Sequence, residues 1–232
     1  ENWRDIEKMI YVNNLNLIFD ISKDKYLLTK VKTEINKVKF LSPSIEINEK
    51  NNLFIIKGKI TTNERDFSIN QLSVIFTSLV KNQFIKKARF SSENDISFNF
   101  NKKLKINNLI LKSKINLDHL DIKNNFLNLE PYLPNIDEVI NFKNHKIIIN
   151  YDKDNLDIKG NGKILINEKF DTINYKVIKN KGKFKFETEA NLKNNKLLID
   201  FLDYEKKENL EALILIKGSY QNDNPVNFDL IS

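Results

Sequence analysis

Apolar and polar residues alternate over stretches of 5 to 9 positions along most of this chain, and clusters of Asn, Lys, Asp and Gly interrupt them. Side chains of a strand point to opposite faces in turn, so this period of two commits the chain to sheet, and the interruptions are turn formers. Strands are expected at 15–21, 26–31, 35–41, 53–60, 67–76, 84–90, 96–100, 104–111, 115–122, 146–151, 156–166, 170–178, 183–190, 196–202, 210–220 and 226–230. The breaks at 49–52, 152–155, 180–182 and 193–195 are short and carry Asn or Gly, the chemistry that closes hairpins. Neighbouring strands are therefore expected to be antiparallel.

About sixteen strands spaced ~4.8 Å apart would make a sheet ~75 Å wide, and a twisted open sheet rarely exceeds ~10 strands without curling or splitting. Such a sheet must curl, close, or fold over itself. Curling leaves a concave face lined with Ile, Leu and Phe. Four stretches, Leu53 to Ile56, Ile147 to Ile149, Leu197 to Ile199 and Leu213 to Ile216, are apolar on both faces and call for cover on both sides.

Two segments depart from the strand period. Trp3, Ile6, Glu7 and Ile10 share one helical face, which predicts a short amphipathic helix over 2–11. Pro131 and Pro134 exclude a central strand, and Ile136, Val139 and Ile140 fit a helical turn, so a second short helix is expected over 132–142. The chain reads as one segment over 1–232 with a subdivision near 124–145. Ile-Lys-Gly closes an apolar strand at 56–58, 158–160 and 216–218, and a Gly late in a strand marks a bulge or a close backbone approach. The segments 104–111 and 115–122 are both apolar at positions one, three, six and eight; the slip in each predicts opposed bulges at Asn107-Asn108 and Asp118-His119.

Composition narrows the class. With 232 residues the chain can bury one sizeable core, and without Cys it has no disulfide scaffold, thiol nucleophile or thiolate metal site. The longest run free of charges and amides, 72–80, is about half of the ~20 residues that span a bilayer. The sequence begins at Glu1, and a longer or processed precursor is expected to carry the missing anchor segment. The formal charge of +7 would suit an anionic partner, yet the lysines are spread along the whole chain and accompany abundant Ile and Asn. They are read as the imprint of A/T-rich coding rather than as a selected basic surface.

No constellation names a reaction, so the protein is not expected to be an enzyme and no cofactor or metal is expected. Asp152, Asp154 and Asp157 have Leu156 where a calcium loop needs a ligand. Gly160-Asn-Gly162 lacks both the third glycine and the helix of a dinucleotide fingerprint. His119 and His145 read as solvated, at a strand edge and in a turn, with no ligand spacing around them. Lys181 to Phe186 resembles a basic-aromatic RNA-binding strand, but Lys185 occupies the small-residue position, so no nucleic-acid partner is expected.

The run Ile115 to Ile122, then Leu127-Asn-Leu-Glu-Pro-Tyr-Leu-Pro134 leading into Leu156-Asp-Ile-Lys-Gly160, resembles the AsmA-like superfamily of bacterial envelope proteins. The resemblance implies a long, strongly curved antiparallel sheet forming a U-shaped groove. It implies a periplasmic protein anchored in the inner membrane that binds or conducts phospholipid toward the outer membrane. An exposed 16-carbon tail costs on the order of 12 kcal/mol in water, and a continuous apolar trough removes that barrier. The expected lining is Phe54, Ile56 and Ile60 on one strand, Ile96, Phe98 and Phe100 on another, and Phe184 with Phe186 on a third. The competing expectation is a structural or adhesive sandwich or barrel whose curled sheet is filled by its own side chains.

Overall fold

A computed structural model describes residues 12–23, 25–35, 37–68, 71, 85–103, 105–123, 137–166, 169–199, 203–221 and 227–231. They form strands β1 (Val12–Ser22), β2 (Lys25–Ile35), β3 (Val38–Lys50), β4 (Leu53–Phe67), β5 (Ile85–Asn101), β6 (Ile106–Lys123) and β7 (Val139–Asp152). The chain continues through β8 (Asn155–Ile166), β9 (Lys169–Asn180), β10 (Lys183–Asn191), β11 (Leu197–Ile199), β12 (Tyr204–Lys206), β13 (Leu213–Gln221) and β14 (Asn227–Ile231). Twelve of these make one antiparallel sheet in the order β1 to β10, β13, β14, and β11 pairs with β12 as a separate hairpin. The order ends on β1 and β14, which do not pair with each other, so the sheet is open, and the closed barrel of the competing expectation is not formed.

At ~4.8 Å per strand the sheet is about 53 Å wide, and its longest strand, β6 with 18 residues, extends about 60 Å at 3.4 Å per residue. The turns expected at 49–52, 152–155 and 180–182 close β3–β4, β7–β8 and β9–β10. Asn51 and Asn52 have φ of 52° and 60°, and Lys181 and Gly182 have 47° and 80°. Positive φ at both central residues is the type I′ geometry whose twist matches that of the flanking strands. Because β4, β6 and β10 run in the same direction, the long connections 68–84, 124–138 and 192–212 all leave from one end of the sheet. The opposite end carries the tight turns at 49–52, 152–155 and 180–182, while the β2–β3 turn lies at the same end as the long connections.

Four expectations need correcting. The segment 35–41 divides at 36–37 between β2 and β3, where Lys37 has φ of 65° and Ile35 pairs with Val38 in a hairpin. The pairs 84–90 with 96–100, and 104–111 with 115–122, are single long strands β5 and β6, because the polar residues between them keep the alternation in phase. The break at 193–195 is no hairpin turn but the start of a longer connection in which β12 follows β11. The helix over 132–142 fails in its described part: Val139, Ile140 and Phe142 lie in β7, paired with Lys123, Ile122 and Leu120, where β-branched and aromatic residues fit the pleat. The helix over 2–11, residues 132–136 and most of the 67–76 strand lie outside the described residues. β7 bonds to β6 on one side and β8 on the other, so the sheet runs through 139–145 without a break.

Bulges do occur at Asn107-Asn108 and at Asp118, but both lie on β6 and displace it against β5, rather than opposing each other. Asn108 has φ of 50°. Further bulges sit in β3 between Leu41 and Ile45, in β4 between Thr62 and Arg65, and in β7 at Asn144, whose φ is 53°. Each extra residue bends its strand and increases local twist.

Candidate functional site

Cross-strand partners share a face, so the register sorts every side chain of the sheet onto one of two surfaces. One row runs Ile45, Gly58, Ile96, Leu111, Tyr151, Leu156, Lys179, Phe184, Tyr220. The next but one runs Ile60, Asn94, Ser113, Ile149, Ile158, Val177, Phe186, Gly218, Phe228. The residues that alternate with these rows along the strands, such as Lys57, Lys59, Lys112, Lys159, Lys185 and Lys217, point the other way. The sheet thus has one apolar face and one charged face.

All eight residues singled out from the sequence fall on the apolar face, brought together from β4, β5 and β10. Phe54 pairs with Phe100 and stacks on it at 5.1 Å, Ile56 pairs with Phe98, and Gly58 pairs with Ile96. Phe184 stacks on Tyr220 at 5.1 Å, and Phe186 meets Phe228 edge-on at 6.2 Å. Ile56 is buried, and Phe54, Ile60, Ile96, Phe98, Phe100, Phe184 and Phe186 keep part of their surface in solvent. β4–β5 and β10 are separated by β6 to β9, so the two groups mark different stretches of a single surface rather than one pocket.

The same face is covered at the end from which the long connections leave. There Val38, Phe67, Ala88, Phe90 and Leu117 form one buried cluster, with Phe67 stacked on Phe90 at 4.1 Å. Beside it Ile140, Ile164, Leu192 and Leu197 form another, with Phe142, Ile173, Ala190, Ile199 and Ile214 packed against it. Leu197 and Ile199 belong to the β11–β12 hairpin, which therefore lies across the apolar face of β7 to β10. A polar cage fastens it. The Asp171 carboxylate, 3% exposed, accepts from the backbone N–H of Asn194 (2.9 Å) and Asn195 (3.3 Å) and from the Asn195 side-chain amide (2.7 Å). The Lys206 ammonium, also buried, donates to the carbonyls of Lys193, Lys207 and Leu210 at 3.3, 3.1 and 2.9 Å. Burial holds the Lys206 pKa below the ordinary lysine value.

Polar groups on the apolar face satisfy one another. Thr62 and Ser92 hydroxyls are 2.9 Å apart, the Asn94 amide donates to Ser92 (2.9 Å) and to the Ile60 carbonyl (3.1 Å), and Ser113 donates to Asn94 Oδ1 (2.6 Å). This ladder crosses β4, β5 and β6, and farther along the same face the Lys179 ammonium stands over the Phe184 ring at 5.3 Å.

The glycines of β8 and β13 answer what the Ile-Lys-Gly cadence is for. A Cβ on Gly160 would lie 2.3 Å from the Tyr175 ring, one on Gly162 2.3 Å from the His145 ring, and one on Gly218 2.4 Å from Phe186. Each glycine is the floor under an aromatic ring from an adjacent strand. His145 is therefore not a solvated turn residue: it is 1% exposed in β7, its Nε2 lies 3.0 Å from the Lys163 carbonyl, and burial lowers its pKa from 6.5. A neutral ring donating from Nε2 fits that contact. The Tyr175 phenol nearby is pushed up to about 12 by burial and stays protonated. His119 sits in β6 with Nε2 2.7 Å from Asp121, partly screened from solvent. The glycine at 162, two residues past Gly160 on the same face, was the sequence signal that a ring from the neighbouring strand needed room.

Among the described residues no group of three or more His, Cys, Asp or Glu is placed to hold a metal ion, and no helix is long and apolar enough to cross a membrane. No family model, curated protein or solved structure matches the chain.

Proposed function

We propose that the apolar face is a lipid-binding surface, and that the protein is a β-groove segment that holds or conducts phospholipid acyl chains between the inner and outer membranes. The observation that carries this reading is the partial exposure of the aromatic row on an open, one-sided sheet: Phe54, Phe98, Phe100, Phe184 and Phe186 are neither fully packed nor replaced by polar residues. Each apolar side chain left in water forfeits about 1.5–3 kcal/mol of burial, which a lipid tail would restore. A surface with many similar weak contacts suits a chain that slides, because no single position holds it. The bulges in β3, β4, β6 and β7 bend the strands and support a curved, U-shaped cross-section. The β11–β12 hairpin bounds the path at the end with long connections. The AsmA-like resemblance of 115–160 adds the periplasmic setting and an anchor in the inner membrane outside this sequence.

Site-specific photocrosslinking tests the reading. A photoreactive residue at Phe98 or Phe184 should label phospholipid when the protein is expressed in a bacterium with two membranes, whereas one at Lys59 or Lys185, on the charged face, should not. Equal labelling from both faces, or none from either, contradicts it.

A further inference from the structure

The charged face gathers lysines that the linear sequence disperses. Lys143 of β7 lies directly opposite Lys163 of β8, and Lys159 of β8 directly opposite Lys176 of β9. Lys146 pairs with Asn161, which is flanked along β8 by Lys159 and Lys163, so Lys146 is the diagonal neighbour of both. Diagonal neighbours on one face are about 7–8 Å apart, and like charges directly opposite destabilise a sheet. These five amines thus form one continuous field at a cost to the fold. Among the described residues no carboxylate lies within ion-pair distance of Lys143, Lys146, Lys163 or Lys176. The acids stand at the margin: Asp157 is 3.7 Å from Lys159, Glu187 faces Lys176 but pairs with Lys217 at 3.1 Å, and Glu189 accepts from Asn174. Several other lysines of this face stand against acids: Lys25 is 3.1 Å from Glu46, Lys59 is 2.6 Å from Glu93, and Lys112 and Lys114 lie directly opposite Asp95 and Glu93. Ile148, opposite Lys159 and 48% exposed, places a bare aliphatic side chain beside the amines.

We propose that this lysine field docks the charged face of the sheet on an anionic phospholipid surface. Lysine is a compact point charge that needs no shaped partner, and a flat field of it fits a layer of headgroup phosphates. Single-stranded nucleic acid would require aromatic platforms, and among the described residues the one aromatic ring at the field, Phe170, lies under the Lys143 ammonium at 5.3 Å. A small anion would require a pocket with converging donors, whereas these amines diverge from a sheet surface. The interaction is separate from acyl-chain binding, which uses the opposite face.

Sedimentation with vesicles tests it. The protein should bind vesicles of phosphatidylglycerol and phosphatidylcholine more tightly than pure phosphatidylcholine at 0.1 M salt, and lose that preference at 0.5 M as the field is screened. Each lysine near an anionic surface contributes about a fivefold gain, so Lys146→Gln, Lys159→Gln and Lys163→Gln together should weaken binding on the order of 100-fold. Lys25→Gln, which removes a matched charge, should leave it unchanged. The triple variant should also melt no lower than the wild type, because relief of like-charge repulsion offsets the lost side chains; this separates lost docking from lost folding. Unchanged binding by the triple variant, equal binding to neutral vesicles, or tighter binding to a single-stranded oligonucleotide than to the anionic vesicles would overturn the proposal.

Discussion

Glycine in mid-strand weakens a sheet unless its missing side chain is used, and here Gly160, Gly162 and Gly218 make room for rings. At Gly162 the obstacle to a methyl group is the root of the His145 ring, fixed by burial and by its contact with Lys163; at Gly160 it is the movable outer end of Tyr175. Gly162→Ala should therefore cost about 1–3 kcal/mol in urea denaturation, and Gly160→Ala less. Adding His145→Ala to Gly162→Ala should recover part of the loss as a positive coupling in the double-mutant cycle. His145 also makes stability depend on pH. Its folded pKa lies below the unfolded value of about 6.5, so the unfolded chain takes up the proton first. Its contribution is complete above pH 6.5 and is lost as pH falls through the folded pKa. Glu46, Glu93, Glu205 and Glu208, held below 4.5 chiefly by hydrogen bonds from Asn48, Lys59, Lys196 and Lys169, act only in a more acidic window. The urea midpoint of the wild type should drop between pH 7 and 5 while that of His145→Gln stays nearly level, and equal slopes would show that the ring is not buried neutral.

At the scale of elements, the period of two made most strands legible, and Asn-Asn and Lys-Gly fixed the tight turns because few other pairs accept two positive φ values. The bulges were legible as slips in the alternation but their partners were not, since pairing across β5 to β8 depends on hairpins that the slip itself offsets. β6 and β7 pair without a shift across Asp118 and Asn144, while both are offset against their outer neighbours β5 and β8. Deleting Asp118 alone should break the match with β7 and sharply lower stability. Deleting Asp118 and Asn144 together should restore a regular register from β5 to β8 and recover much of the loss. β11 falls within the strand expected at 196–202, but β12 and its pairing with β11 escaped notice because three residues are too few to show a period and the hairpin's anchor is polar. Asp171→Ala strands three donors inside the cage, and buried unmade hydrogen bonds cost about 1–3 kcal/mol each. Hydrogen exchange should then show residues 197–199 and 204–206 losing protection while β3 to β6 keep theirs.

Across the whole molecule, one face of a twelve-stranded sheet is apolar, and among the described residues its buried clusters lie at one end. Within each strand the candidate lining residues were readable as sharing a face, because alternation assigns it, but that the groups on β4, β5 and β10 share one surface follows only from the register across the strands. The lysine field was not readable, because it arises only when residues 143 to 176 are folded into three adjacent strands. The account depends on the aromatic row facing a lipid or a solvated trough rather than a packed interior. A charge in a packed core is an unpaired buried ion and typically costs several kcal/mol, whereas one on an open lining is solvated. The most direct measurement is native mass spectrometry of the purified wild type beside Phe98→Asp and Phe184→Asp, with circular dichroism of each. The account predicts phospholipid bound to the wild type, and two variants that keep the strand spectrum and emerge without lipid. Lipid-free wild type together with unfolding of both variants would mean that the face is a filled core, and would contradict it.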